Sequence, residues 1–190
     1  MATVINVKPL INLTSEAFYQ LCLSNPDITM EKSPQGDLII MSPVGGESGN
    51  REANLTIKLG IWNLQYKLGQ VFSSSTIFKL PNGGDRSPDV AWVSQEKWDS
   101  LTPEEKRKFP PLCPDFVIEL RSESDRLKPL QEKMQEYLNS GLRLGWLINP
   151  QDGEVEVYRP EKSVEVLKMP CLLSGEDVLP NFELQMDINC

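Results

Sequence analysis

The chain has 190 residues, 39% hydrophobic and 24% charged, with a formal net charge of -8, the profile of one soluble globular domain that buries roughly 70% of its unfolded surface. It contains no histidine, which excludes Ser-His-Asp and Cys-His catalysis and any histidine-ligated metal centre. If the chain is an enzyme, its proton chemistry falls to carboxylates, Lys, Tyr, Cys or metal-bound water.

No apolar run approaches the roughly 20 residues needed to span a bilayer. The N-terminus lacks the basic start and apolar block of a signal peptide. Cys22, Cys113, Cys171 and Cys190 are scattered without CxxC spacing, which fits neither a zinc site nor a disulfide framework. The expectation is a cytoplasmic protein without a membrane segment. The acidity is uneven: residues 151–190 hold nine acidic and three basic side chains, whereas residues 1–150 hold 18 and 16. An acidic balance counts against a phosphate-backbone partner, but its concentration in the tail leaves the body nearly neutral.

In chain order, Thr14 or Ser15 caps a short helix through Phe18, Leu21 and Cys22 that ends near Asn25-Pro26. Strands Ile28–Lys32 and Asp37–Met41 flank the turn-like Ser33-Pro34-Gln35-Gly36. Pro43 to Gly49 reads as a loop. From Ser48 to Leu68, the residues Leu55, Leu59, Trp62 and Tyr66 fall at helical spacing. Strands follow at Gln70–Thr76, Ile77–Leu80 and Asp89–Val93, with Pro81 to Asp85 as a turn or loop. Residues 94–114 form a surface excursion with short helical turns around Trp98 and Pro103–Lys108. Phe116–Leu120 is an apolar strand, and a helix opens at Asp125 or Arg126, runs to Ser140 and stops at Gly141. Leu144–Ile148 reads as a buried strand and Val155–Tyr158 with Val164–Leu167 as a hairpin. This order predicts a single α/β domain around a mixed sheet flanked by helices. Residues 1–42 would form an N-terminal helix and hairpin, 43–150 the core, and 151–190 an acidic hairpin extension.

Side chains alternate along a strand, so Val117, Glu119 and Arg121 share one face of the Phe116–Leu120 segment. A carboxylate amid apolar strand residues is costly to ionise without a cationic partner. Arg121 is one candidate partner and a divalent cation the other. Asp89, after a proline that blocks ladder pairing, supplies a second carboxylate. Two carboxylates on neighbouring strands can chelate a hard ion such as Mg²⁺, completed by water and phosphate oxygens. Lys133 lies at the edge of the apolar stripe Leu127, Leu130, Met134, Tyr137 and Leu138. From there it can reach toward Glu119 and orient water or stabilise developing charge. Glu132 and Glu136 are expected to face solvent.

Pro88-Asp89 followed by Glu119-x-Arg121 resembles the PD-(D/E)XK motif. The run Pro114-Asp115-Phe116-Val117-Ile118-Glu119-Leu120-Arg121-Ser122-x-Ser124-Asp125, then Gln131-Glu132-Lys133-Met134-x-Glu136-Tyr137-Leu138, resembles the bacterial family called Uma-two. Met41-Ser42-Pro43-x-Gly45-Gly46-Glu47 and Gly145-Trp146-Leu147-Ile148-x-Pro150 do so as well, and the similarity spans about residues 10–186. The resemblance implies a restriction-endonuclease-like core with additional β-hairpins and Mg²⁺-dependent phosphodiester hydrolysis, with Mn²⁺ as a substitute. It also implies a first-helix glutamate near the metal, mapped onto Glu47, with Glu52 as a second candidate. The lysine of the motif has moved to the following helix as Lys133. Arg121 occupies the original slot; arginine is a poor base but a good phosphate clamp.

Plainer readings stand beside these. Glu119 and Arg121 can form a structural ion pair, Asp89 can be a turn residue, and Lys133 can snorkel along its apolar stripe. Glu47 at a helix start is favoured by the dipole alone. Arg86 and Ser73-Ser74-Ser75-Thr76 suit phosphate or mere strand polarity, and Lys106-Arg107-Lys108 suits a solvated loop. The expected function is a Mg²⁺-dependent endonuclease. Asp89 and Glu119 would hold the metal, Lys133 and Glu47 would serve catalysis, and Arg121 and Arg86 would contact phosphate. The partner is duplex DNA, read with weak or no sequence specificity, and cleavage of both strands suggests a twofold homodimer. The rivals are the same fold without turnover, as a DNA-binding or interaction module, and a hydrolase of smaller phosphate esters.

Overall fold

A computed structural model describes residues 2–8 and 10–187; Cys190 lies outside them. The central sheet has six strands in the order β11-β10-β9-β8-β7-β4. These are β4 (Gly69–Ser73), β7 (Val90–Ser94), β8 (Phe116–Leu120), β9 (Leu144–Asn149), β10 (Glu154–Tyr158) and β11 (Glu165–Lys168). Strands β8 and β9 run parallel, joined by helix α5 (Leu127–Asn139), and the other pairs are antiparallel, so the sheet is mixed. Strands β7, β8 and β9 are apolar on both faces because both faces are covered.

On one face, Leu55, Leu59 and Trp62 of helix α2 (Gly46–Tyr66) pack against Trp92, Phe116, Ile118 and Trp146. The hairpin of β12 (Cys171–Ser174) and β13 (Glu183–Met186) covers the same face with Leu173, Phe182, Leu184 and Met186. On the other face, Met134 and Tyr137 of α5 pack against Ala91, Val93, Val117 and Leu147.

A second sheet, ordered β1-β3-β2-β6-β5, stands beside the first. Its strands are β1 (Thr3–Ile5), β2 (Met30–Lys32), β3 (Leu38–Ile40), β5 (Phe78–Lys79) and β6 (Asp85–Arg86). It packs near helix α1 (Ser15–Ser24), whose N-cap Thr14 accepts a hydrogen bond from the Ala17 amide. Short helices α3 (Gln95–Asp99) and α4 (Pro103–Arg107) fill the surface excursion, α4 opening on a Thr102/Glu105 capping box.

Several expected boundaries shift. Helix α2 starts at Gly46, taking in residues read as loop, because Gly45 already accepts the first helical bond from Gly49. Asp85 belongs to strand β6 and not to a turn. The C-terminal residues form no separate appendage: β10 and β11 extend the central sheet, while β12 and β13 close its core.

Candidate metal and phosphodiester site

The antiparallel β7–β8 register pairs Val90 with Ile118, so one step further sets Asp89 across from Glu119. Alternation gives both carboxylates the face shared with Ala91 and Val117, which α5 covers. Asp89 is half-buried, and its Oδ2 accepts the Leu120 amide at 2.7 Å, tying the two strands where their ladder ends. Glu119 is buried and accepts the Tyr137 hydroxyl at 3.0 Å.

Lys133 comes down from α5 into this pair. Its Nζ lies 2.8 Å from Glu119 Oε1 and 2.8 Å from Glu31 Oε1, and donates to the Ser87 carbonyl at 3.2 Å. Glu31, on β2, also accepts the Ser87 amide at 2.9 Å and the Arg86 Nη1 at 3.0 Å. The Arg86 guanidinium turns its other edge to Glu136, with Nη2 2.6 Å from Oε2. Glu136 therefore joins the cluster and is not the solvent-facing residue expected from the helical stripe; a guanidinium within reach outweighs water as its partner.

These side chains line one cleft of about 990 Å³, together with Glu52, Ser122, Asp125 and Arg126. Glu52 enters from α2, where its Oε1 accepts the Ser74 hydroxyl at 2.5 Å. Glu47 does not enter. It sits on the first turn of α2 with its side chain 89% exposed, 3.8 Å from Arg51. Arg121 is likewise absent from the cleft wall: its Nη1 is held by Asp152 at 2.8 Å and Asn149 at 3.1 Å, its Nε by the Asp125 carbonyl. The structure thus brings together Asp89, Glu119, Lys133 and Arg86, and leaves Glu47 and Arg121 outside. The sequence reading missed Glu31. Its signal was the same as that of Glu119, a carboxylate inside a short strand segment.

The electrostatics of the cleft are unbalanced. Five carboxylates, Glu31, Glu52, Asp89, Glu119 and Glu136, face the two buried cations Lys133 and Arg86. Desolvation, then the neighbouring Glu119, pushes the Asp89 carboxyl well above its ordinary range. Burial also raises Glu119, although Lys133 works against it. Glu31 goes the other way: burial is outweighed by Lys133 and Arg86, which hold it ionised. Burial would lower Lys133, but Glu119, Glu31 and Asp89 hold it protonated.

The donor set fits Mg²⁺. Among the described residues no three or more His, Cys, Asp or Glu side chains form a ready metal cage. Mg²⁺ does not require one, since it is commonly bound through one or two carboxylates plus water and substrate phosphate. Asp89 and Glu119 would supply those carboxylates, with Glu52 close behind. The like-charge strain that raises Asp89 is what a bound cation would relieve.

The fold has a solved counterpart. A crystal structure of a "putative nuclease belonging to DUF820" from Anabaena variabilis superposes with a TM-score of 0.74 at 19% identity, covering 92% of this chain and 94% of that one. No curated protein is similar enough in sequence to match. The family model described as "Putative restriction endonuclease" matches residues 15–187, and the chain belongs to that family, Uma-two.

Proposed function

We propose that this chain is a Mg²⁺-dependent endonuclease, with Mn²⁺ as a working substitute, that hydrolyses phosphodiester bonds of duplex DNA with little sequence preference. The observation that carries this reading is the convergence of Asp89, Glu119 and Lys133, from two strands and a helix, at the floor of an open cleft. A bound Mg²⁺ would polarise the scissile phosphate and acidify a water molecule. Asp89 and Glu119 orient that ion, and their own repulsion disfavours the empty site. Lys133, fixed by two carboxylates and kept protonated, is no general base; it serves as a fixed positive charge beside the reacting phosphate. Glu31 and Arg86 hold Lys133 in place.

Substrate binding falls to the mouth of the cleft. Arg86 and Lys133 are already paired, whereas Arg126 at the start of α5 is exposed and has no partner among the described residues. Arg126 is therefore the cation free to take a backbone phosphate. The overall charge of -8 makes that contact salt-sensitive.

One observation favours a second reading, the same fold without turnover: the motif's last slot holds Arg121, which is engaged by Asp152 and Asn149. Supercoiled plasmid with Mg²⁺ or Mn²⁺ at low salt, beside the Glu119→Gln variant, separates the two. Metal-dependent nicking lost in the variant supports the nuclease. DNA that is bound but never cut, under either metal, supports the binding module.

A further inference from the structure

We propose that the outer face of α2 is a self-association seam through which two copies of this chain pair. The inner face of the helix is fully accounted for by Leu55, Leu59 and Trp62 in the core. The outer face carries a second apolar stripe: Ile57 is 55% exposed, Ile61 62% and Leu64 75%, and Leu68 just past the helix adds a fourth at 41%. The intervals of four, three and four residues are those of the a and d positions of a heptad. Amphipathic surface helices keep this side polar; here no element of the described fold covers it.

Gly60 lies between these residues, and a Cβ built on it meets nothing within 4 Å. Ala53 is exposed one helical repeat earlier. Small residues beside a seam let a second helix approach closely.

The spacing selects the partner. A heptad stripe matches another helix with the same stripe, and a second copy supplies one by symmetry. The four side chains expose roughly 100 Å² each, so a symmetric pair covers on the order of 800 Å² from them alone. With flanking residues this reaches the small, transient class of interfaces, below the roughly 1,200–2,000 Å² of stable ones. The dimer is therefore concentration-dependent. Flanking charge selects the orientation. Antiparallel pairing of Ile61 with Leu64 would set Lys58 against the partner's Lys67. Parallel pairing sets Lys58 against the partner's Ala53 and Gln65 against the partner's Gly60. A parallel pair also brings both Glu52 residues, and hence both clefts, to the same end of the seam.

Sedimentation equilibrium on the full chain tests this without any activity assay, from micromolar to near-millimolar concentration. A monomer–dimer equilibrium is expected, lost in the Ile61→Asp/Leu64→Asp variant and kept in Leu172→Asp, which charges an exposed apolar residue elsewhere. Circular dichroism checks that each variant folds. Should the double variant unfold, Leu64→Cys decides: under oxidation it must give a covalent dimer beyond the wild-type background. A monomer at every concentration, a double variant that dimerises like wild type, or a failed cross-link with dimer mass otherwise present each overturns the parallel seam.

Discussion

Replacing Asp89 by Asn should make the metal-free protein more stable and the metal-loaded protein less so. Asn keeps the shape and can still accept the Leu120 amide that Asp89 Oδ2 takes at 2.7 Å. What it removes is a charge that burial and Glu119 make costly. An uncompensated buried charged group costs about 1–3 kcal/mol or more, and the half-exposed side of Asp89 argues for the lower part of that range. For a chain of this length, about 1–2 kcal/mol corresponds to a rise in melting temperature of roughly 2–8 °C. Mg²⁺ at a hundredfold excess over its Kd stabilises wild type by about 2.7 kcal/mol, and the variant, short of a ligand, should gain little. The order of the two melting temperatures should therefore cross on adding Mg²⁺. The pH dependence has a defined sign. A folded-state pKa above the unfolded value means that the unfolded chain ionises first as pH rises. Wild-type stability without metal therefore falls from about pH 3.8, the ordinary value for aspartate, upward through the raised folded value. The gap between wild type and Asp89→Asn opens over the same window and closes below it. Differential scanning fluorimetry with EDTA and with Mg²⁺, across pH, measures all of this. An Asn variant less stable than wild type in EDTA, or equally stabilised by Mg²⁺, would refute the account of an electrostatically strained cation site.

Lys133→Met should lower metal-dependent nicking by about 10²–10³-fold and destabilise the fold by several kcal/mol, about 3–5, because Glu31 and Glu119 lose a shared buried partner; plasmid nicking and urea melts report the two effects. Arg121→Ala should leave nicking within about threefold of wild type and cost about 1 kcal/mol of stability, since Arg121 secures the β9–β10 turn through Asp152 and Asn149. A catalytic collapse there would return Arg121 to the site. Arg126→Ala should weaken DNA binding and reduce the slope of log affinity against log salt by about one, with turnover at saturating DNA unchanged. An unaltered slope would remove Arg126 from the substrate path.

What the sequence revealed depended on periodicity. Helices α2 and α5 and strands β7, β8 and β9 carry either a helical stripe or an apolar run, and those signals place Asp89, Glu119 and Lys133 on elements that the fold brings together. Strand β6 has only two residues, Asp85 and Arg86, too few to show any period. Its role is set by pairing with β2, more than fifty residues earlier. Glu31 was hidden for the same reason, since its partners Lys133 and Arg86 are joined to it only by tertiary structure. The choice of Glu47 over Glu52 turned on helix phase. Five residues rotate a side chain by about 140°, so Ser48 and Glu52 share the cleft face while Glu47 points to solvent. Glu136 shares an edge of α5 with Lys133, yet only Arg86, from another sheet, decides that this edge is inside.

The β2–β6 pairing places Lys32 opposite Asp85, and that pair bonds at 2.9 Å on the face opposite Glu31 and Arg86. The short ladder thus carries one ion pair per face, with signs reversed between neighbours along each strand. A slip of β2 by one residue would turn Lys32 toward Lys133 and Arg86 while bringing Glu31 against Asp85, pitting like charges on both sides at once. A ladder too short to fix its register by hydrogen bonding is proofread by charge instead, so an insertion or deletion in β2 would misassemble the cleft before it altered any catalytic residue.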